Sequence, residues 1–188
     1  MSDGGPEDAI PEVLASRRLS DGYIGLRVDT LQRPDGGGHD IEVVEYKDAV
    51  VIVPIDHDGR ILMVRQYRHP ARRWLLELPA GSIDDRDASP AEAAQRELRE
   101  ETGHRGTLTR IGGMYLAPGY SEEWQEIFVA DRLVEDALEA DEDEDLRLEH
   151  VPLEDALAYV DSGRICDAKS IAALLMYLRY SDAPAQGR

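Results

Sequence analysis

Residues 49–56, AVVIVPID, carry no polar side chain before Asp56 and are rich in β-branched residues. A strand with one wet face alternates apolar and polar positions. This one does not, so it reads as a strand buried on both faces. Covering it takes a real core. A chain of 188 residues, 42 % of them hydrophobic, is long enough to build one domain with such a core.

The flanking sequence supplies further elements. HDG (57–59) is a turn, and RILMVRQYR (60–68) is expected to be the hairpin partner of the buried strand. WLLELPAG (74–81) reads as a strand that stops at Pro79 and Gly81. YIGLRVDTL and HDIEVVEY are strand-like pieces joined by the turn RPDGGGH. GTLTRIGGMYLAPGYSEEWQEIFVADRL reads as two strands around a Gly/Pro loop at 117–123, and LRLEHVPL as another strand. EDALAYVDSG and DAKSIAALLMYLRYS read as helices, the second capped by Asp167. A third helix has Ser89 at its N-cap, Pro90 at its first position, Glu92 three residues after the cap and Gly103 at its end. Ala91, Ala94 and Leu98 form its expected core stripe. Strands and helices are mixed, so the class is α+β or α/β. Residues 1–10 read as a flexible acidic tail, 11–46 as N-terminal strands and 47–182 as the main domain. Residues 135–145 read as a solvated acidic loop.

The formal charge is −18, from 39 acids and 21 bases, and only Lys47 and Lys169 among the bases are lysine. Such a surface lacks the basic footprint of a nucleic-acid binder and repels anionic membranes. The single cysteine, Cys166, excludes an intrachain disulfide and fits a reducing compartment. There is no apolar secretory segment and no apolar run of about 18 residues. The expected location is cytoplasmic.

The chemistry concentrates in RELREETGH (96–104). Glu97, Glu100 and Glu101 are spaced i, i+3 and i+4, so they share one side of the helix. Like charges at that spacing repel. Arg96 and Arg99 can offset the repulsion by local pairing; a divalent cation with hard oxygen ligands would offset more. The Pro-Ala-Gly turn before the helix can add the carbonyl of Ala80, since Gly81 permits a tight backbone path. From the helix alone, a salt-bridged helix end and a cation cage are both open readings.

The order of residues resembles the Nudix box: Gly81, then Arg96-Glu97-Leu98-x-Glu100-Glu101-x-Gly103. The Gly81-to-Arg96 spacing is one residue longer than usual, which puts the earlier acid of the box at Asp87 or Ala88, and His104 replaces an apolar residue. The resemblance extends over about residues 20–180. VRQYRHPARRWLLELPAGSID, APGYSEE, SGRICDAKSIAALL and DIEVVEYKDAVVIVPI are similar to segments of the ADP-ribose pyrophosphatase branch. It implies a Nudix α/β/α sandwich with a mixed sheet, an N-terminal β-strand extension and a homodimer joined through the early strands. It also implies Mg2+ or Mn2+ held by Glu97, Glu100, Glu101 and the Ala80 carbonyl, with Arg96 orienting the acids. Glu123 is the candidate general base, and its neighbour Glu122 the rival; both also read as an exposed hairpin tip. Arg68, Glu42, Glu77 and Gly119 are the candidate substrate-binding residues, with Ile41 standing where many relatives carry Arg. Trp74 and Trp124 could stack on a base or simply pack. The implied reaction is hydrolysis of ADP-ribose to AMP and ribose 5-phosphate. The alternatives are hydrolysis of another nucleoside diphosphate sugar and a non-catalytic ligand-binding module.

Overall fold

The structure is a computed structural model that describes residues 10–138 and 145–182. The expected acidic tail therefore lies almost wholly outside the described residues, as does most of the acidic loop at 135–145. Two compact units make up the chain. One comprises the described residues up to Tyr46 together with Ala117–Glu123; the other comprises Lys47–Leu116 and the described residues from Trp124 onward.

The larger unit is built on the buried strand. β4 (Ala49–Pro54) is buried at every position and lies inside a mixed sheet. Its neighbours are β9 (Trp124–Glu135), which is parallel to it, and β7 (Ala80–Ser82), which is antiparallel; β8 (His104–Tyr115) completes the sheet beyond β9. Side chains alternate across a strand, so β4 serves two cores. Val50 and Ile52 pack with Phe128 and Ala130 against the helix α1 (Pro90–Thr102). Val51 and Val53 pack on the other face, in a core shared with β5 (Arg60–Arg68), β6 (Arg73–Glu77), β10 (Arg147–Pro152), α2 (Leu153–Asp161) and α3 (Ala168–Asp182). The unit is thus a layered α+β sandwich: α1 covers one face of the mixed sheet, and the sheet β10-β5-β6 with α2 and α3 shares the core on the other face.

Three local expectations need correcting. β5 is not the hairpin partner of β4. Only the bridge Ile55–Ile61 joins them, and β5 pairs instead with β10 and β6 in a different sheet. The turn at Asp56–Gly59 carries the chain from one layer to the next. Nor does the extended chain stop at Pro79. Pro79 cannot donate to a ladder, but its carbonyl accepts from Ile52 N at 2.9 Å. β6 ends in one sheet and β7 begins in the other. On α1 the core stripe is Ala93, Ala94 and Leu98, each fully buried, while Ala91 is exposed. Leu98→Ala should cost about 2–5 kcal/mol.

The ends of α1 form as local rules dictate. Ser89 Oγ accepts from Glu92 N at 3.3 Å, and Glu92 Oε2 accepts from Ala88 N at 3.0 Å. Gly103 has φ +73°, the left-handed conformation that closes a helix. Asp167 caps α3, accepting from Ser170 N at 3.0 Å.

In the smaller unit β1 (Val13–Asp21), β2 (Gly25–Gln32) and β3 (Gly38–Glu45) form an antiparallel sheet. β1 is exposed along its whole length and carries little apolar alternation, so its sequence did not announce a strand. The loop 117–123 is stitched to β3: Val44 N donates to Tyr120 O at 2.7 Å, and Val44 bridges Ser121.

Candidate active site

The acids of α1 are gathered around one guanidinium. Arg96 donates from Nε to Asp87 Oδ1 (3.1 Å) and from Nη2 to Asp87 Oδ2 (2.8 Å) and Ser82 O (2.9 Å). From Nη1 it donates to Glu97 Oε1 (2.6 Å) and Glu100 Oε2 (2.9 Å). All its donor groups are used, in the bidentate geometry that suits a planar fork. Its side chain is 13 % exposed. The repulsion among Glu97, Glu100 and Glu101 is therefore opposed by a half-buried cation on the same helix. Asp87, the nearer of the two positions open for the earlier acid of the box, is the one that grips Arg96. Its carboxyl lies below the usual carboxylate range, chiefly through the Arg96 hydrogen bond, against burial that acts the other way.

The turn before the helix is fitted to these acids. A Cβ on Gly81 would lie 2.1 Å from the carboxylate carbon of Glu97. Gly81 does not have the positive φ that would demand a glycine; it is glycine because the carboxylate occupies that space. Ala80 N donates to Glu101 Oε2 at 3.1 Å. Two separate contacts thus bring the 80–81 turn against Glu97 and Glu101. The donor set is hard oxygen, the chemistry Mg2+ and Mn2+ select. His104 spends its Nδ1 on Thr102 O at 2.6 Å, so it fills the apolar position of the box as a local turn contact.

A second group lies at the ends of β5 and β6. Arg68 donates from Nε and Nη2 to Glu77 Oε2, both at 2.8 Å, and Glu77 is 3 % exposed. Lys169 completes the group, with Nζ 3.1 Å from Glu77 Oε1. Nothing in the sequence pattern assigned a role to Lys169; its one signal was its rarity in an arginine-rich chain. Nearby, Trp74 carries the Arg147 guanidinium over its ring and leans on Tyr67.

The smaller unit holds Glu42, Gly119, Glu122 and Glu123. Glu42 is exposed on β3, opposite Val28. Gly119 sits in the 117–123 loop, where a Cβ would meet open space. Glu122 is held by Arg27, Nη1 to Oε2 at 2.9 Å, and Arg27 also binds Asp29 and Glu45. Glu123 N donates to Ser121 Oγ at 3.3 Å. In the larger unit Trp124 packs edge-on against Tyr115 and closely over Gly113, and its Nε1 donates to Glu126 at 3.0 Å. It is a packing residue.

These features agree with what the chain is similar to. The NUDIX domain family matches residues 45–174. The ADP-ribose pyrophosphatase of Bacillus subtilis (strain 168) is 36 % identical over 92 % of this chain and 94 % of its own length. That of Mycobacterium tuberculosis is 38 % identical over 94 % of this chain and 87 % of its own. A crystal structure of an ADP compounds hydrolase superposes with a TM-score of 0.80 at 28 % identity, covering 90 % of this chain and 93 % of that one. The chain belongs to the Nudix family, and its mixed sheet flanked by helices is that family's fold. Among the described residues no helix is long and apolar enough to cross a membrane.

Proposed function

We propose that this chain hydrolyses the pyrophosphate bond of ADP-ribose, giving AMP and ribose 5-phosphate. One observation carries the reading: Arg96 holds Glu97 and Glu100, and the Glu97 carboxylate fills the space where a Cβ on Gly81 would lie. Two relatives matched over most of their length are, by their names, ADP-ribose pyrophosphatases, and two others are GDP-mannose pyrophosphatases. Glu97, Glu100, Glu101 and the Ala80 carbonyl would hold Mg2+, or Mn2+ in its place. When bound, the cation neutralises phosphate oxygens and acidifies a water.

The remaining work falls to the chain. Glu123 accepts the proton of the attacking water. Its rival Glu122 is engaged by Arg27 in a charge-assisted hydrogen bond. Arg68 offers its planar fork to a phosphate, Glu77 braces it, and Glu42 and Gly119 contribute to the substrate pocket. The enzyme acts in the cytoplasm as a homodimer, an arrangement favoured by the exposed Val13, Leu14 and Leu19 on β1.

The test is a specificity panel. With Mg2+, kcat/KM for ADP-ribose should exceed that for GDP- and UDP-sugars, and chelator should abolish turnover. A faster GDP- or UDP-sugar would keep the chemistry and reassign the substrate. Binding of ADP-ribose without turnover of any member would replace the enzyme by a ligand sensor. Sedimentation of a fully active monomer would contradict the dimer.

A further inference from the structure

We infer that Lys169 is a positioning residue that fixes how Arg68 presents its guanidinium to a substrate phosphate. The inference rests on the reading of Arg68 as a phosphate-binding residue. Four side chains of alternating charge form a continuous series: Arg68 on β5, Glu77 at the end of β6, then Lys169 and Asp167 at the start of α3. Lys169 Nζ lies 3.1 Å from Glu77 Oε1 and 2.9 Å from Asp167 Oδ1. Asp167 Oδ1 also accepts from Ser170 N, and Ser170 Oγ accepts from Leu78 N at 2.8 Å. The lysine is therefore anchored to the helix start, and the helix start to the residue that follows Glu77.

This anchoring decides what Arg68 can do. Glu77 is buried, and a buried carboxylate needs partners on both oxygens. Lys169 takes Oε1, which confines Arg68 to Oε2. Arg68 reaches that one oxygen through Nε and Nη2. Its third nitrogen, Nη1, carries no hydrogen bond among the described residues, and the side chain is 39 % exposed. A guanidinium left alone with a carboxylate favours a two-oxygen grip. Without Lys169, Oε1 is open and Arg68 closes onto both oxygens, turning away from solvent. With Lys169 in place, Arg68 keeps donors directed outward. A compact ammonium fits this task at 11 % exposure, because it serves two carboxylates as a point charge.

The experiment is steady-state kinetics of the full chain with ADP-ribose and Mg2+. It compares wild type, R68M, K169M and the double variant, with thermal melts of each. R68M should raise KM about tenfold, the effect of one lost charged hydrogen bond. K169M should raise KM severalfold with kcat within about twofold of wild type, a split that mere loss of stability does not produce. The double variant should be no worse than R68M alone, since both changes remove one function. If K169M fails to fold, K169Q is read in the same way. A wild-type KM in K169M or K169Q beside a raised KM in R68M overturns the inference and leaves the Arg68 reading standing. Full multiplication of the two effects in the double variant also overturns it. A wild-type KM in R68M overturns both. No ADP-ribose turnover by the wild type overturns the proposed function itself, and the inference with it.

Discussion

Arg96 and Arg27 perform the same act in two places. Each donates hydrogen bonds to three carboxylates: Arg96 to Asp87, Glu97 and Glu100, and Arg27 to Asp29, Glu45 and Glu122. The guanidinium of each is held well above its ordinary range, first by the hydrogen bond it donates to an aspartate. The surroundings differ. Around Arg96 the three carboxylates are 5 %, 12 % and 17 % exposed; Glu122, the loop partner of Arg27, is 47 % exposed. Asp29 and Glu45 are about as covered, at 14 % and 18 %, so the difference lies in Glu122, which water screens. A like set of charges is therefore closed from water in one unit and open to it at the 117–123 loop in the other. The closed set suits the proposed cation cage, which needs fixed ligands, and the open end suits the loop of the proposed base.

The comparison can be broken at its strong end first. Arg96→Met leaves three carboxylates without their cation, two of them on one helix. It should lower stability by about 3 kcal/mol or more and reduce turnover below detection, read by thermal denaturation and ADP-ribose assay. Next, Gly81→Ala places a methyl group where the Glu97 carboxylate lies. Turnover should fall by about tenfold or more while the melting temperature changes little; an unchanged rate would mean Glu97 has no fixed seat. Arg27→Met should cost less than about 1 kcal/mol and lower kcat only severalfold, through a less ordered 117–123 loop. A loss as large as that of Arg96→Met would erase the distinction.

The smallest effect is in the acid limb of stability. The lowered carboxyl of Asp87 means the unfolded chain takes up its proton first as pH falls. Its stabilising contribution is complete above about pH 4 and is lost as pH falls through the depressed folded value. The stability gap between wild type and Asp87→Asn should thus be constant near neutrality and shrink in acid. The carboxyl of Asp29 is also lowered, first by Ser16 and then by Arg27, but Ser16 lies on β1, which is exposed along its whole length. Asp29→Asn should leave the acid limb nearly unchanged. Melts between pH 3 and pH 7 decide the matter.

What was legible in the sequence was what is decided locally. Ser89, Pro90, Glu92 and Gly103 announce the two ends of α1 within a few residues of each other, and they cap it as written. The two-faced apolar run at 49–55 announced a strand between two cores, because every residue of a strand must face one side or the other. The order of acids in the box was legible for the same reason. What was hidden depends on partners far along the chain. Sheet membership separated β5 from its neighbour β4, and no pattern within either strand encodes that. The core stripe of α1 moved by two positions from Ala91 to Ala93, since the facing strands, not the helix, choose the buried side. Lys169 has its meaning only beside Glu77; the hydrogen bond that ties their elements together spans 92 residues. Gly81 was rightly singled out but for the wrong physical reason: close approach, not backbone freedom.

The most direct test of the central claim is product analysis of ADP-ribose with Mg2+ for the wild type, Glu101→Gln and Glu123→Gln, each shown to be folded. The account predicts AMP and ribose 5-phosphate from the wild type, and rates lower by about tenfold or more in each variant. Wild-type rates in both variants would contradict the site, and no AMP from the wild type would contradict the function.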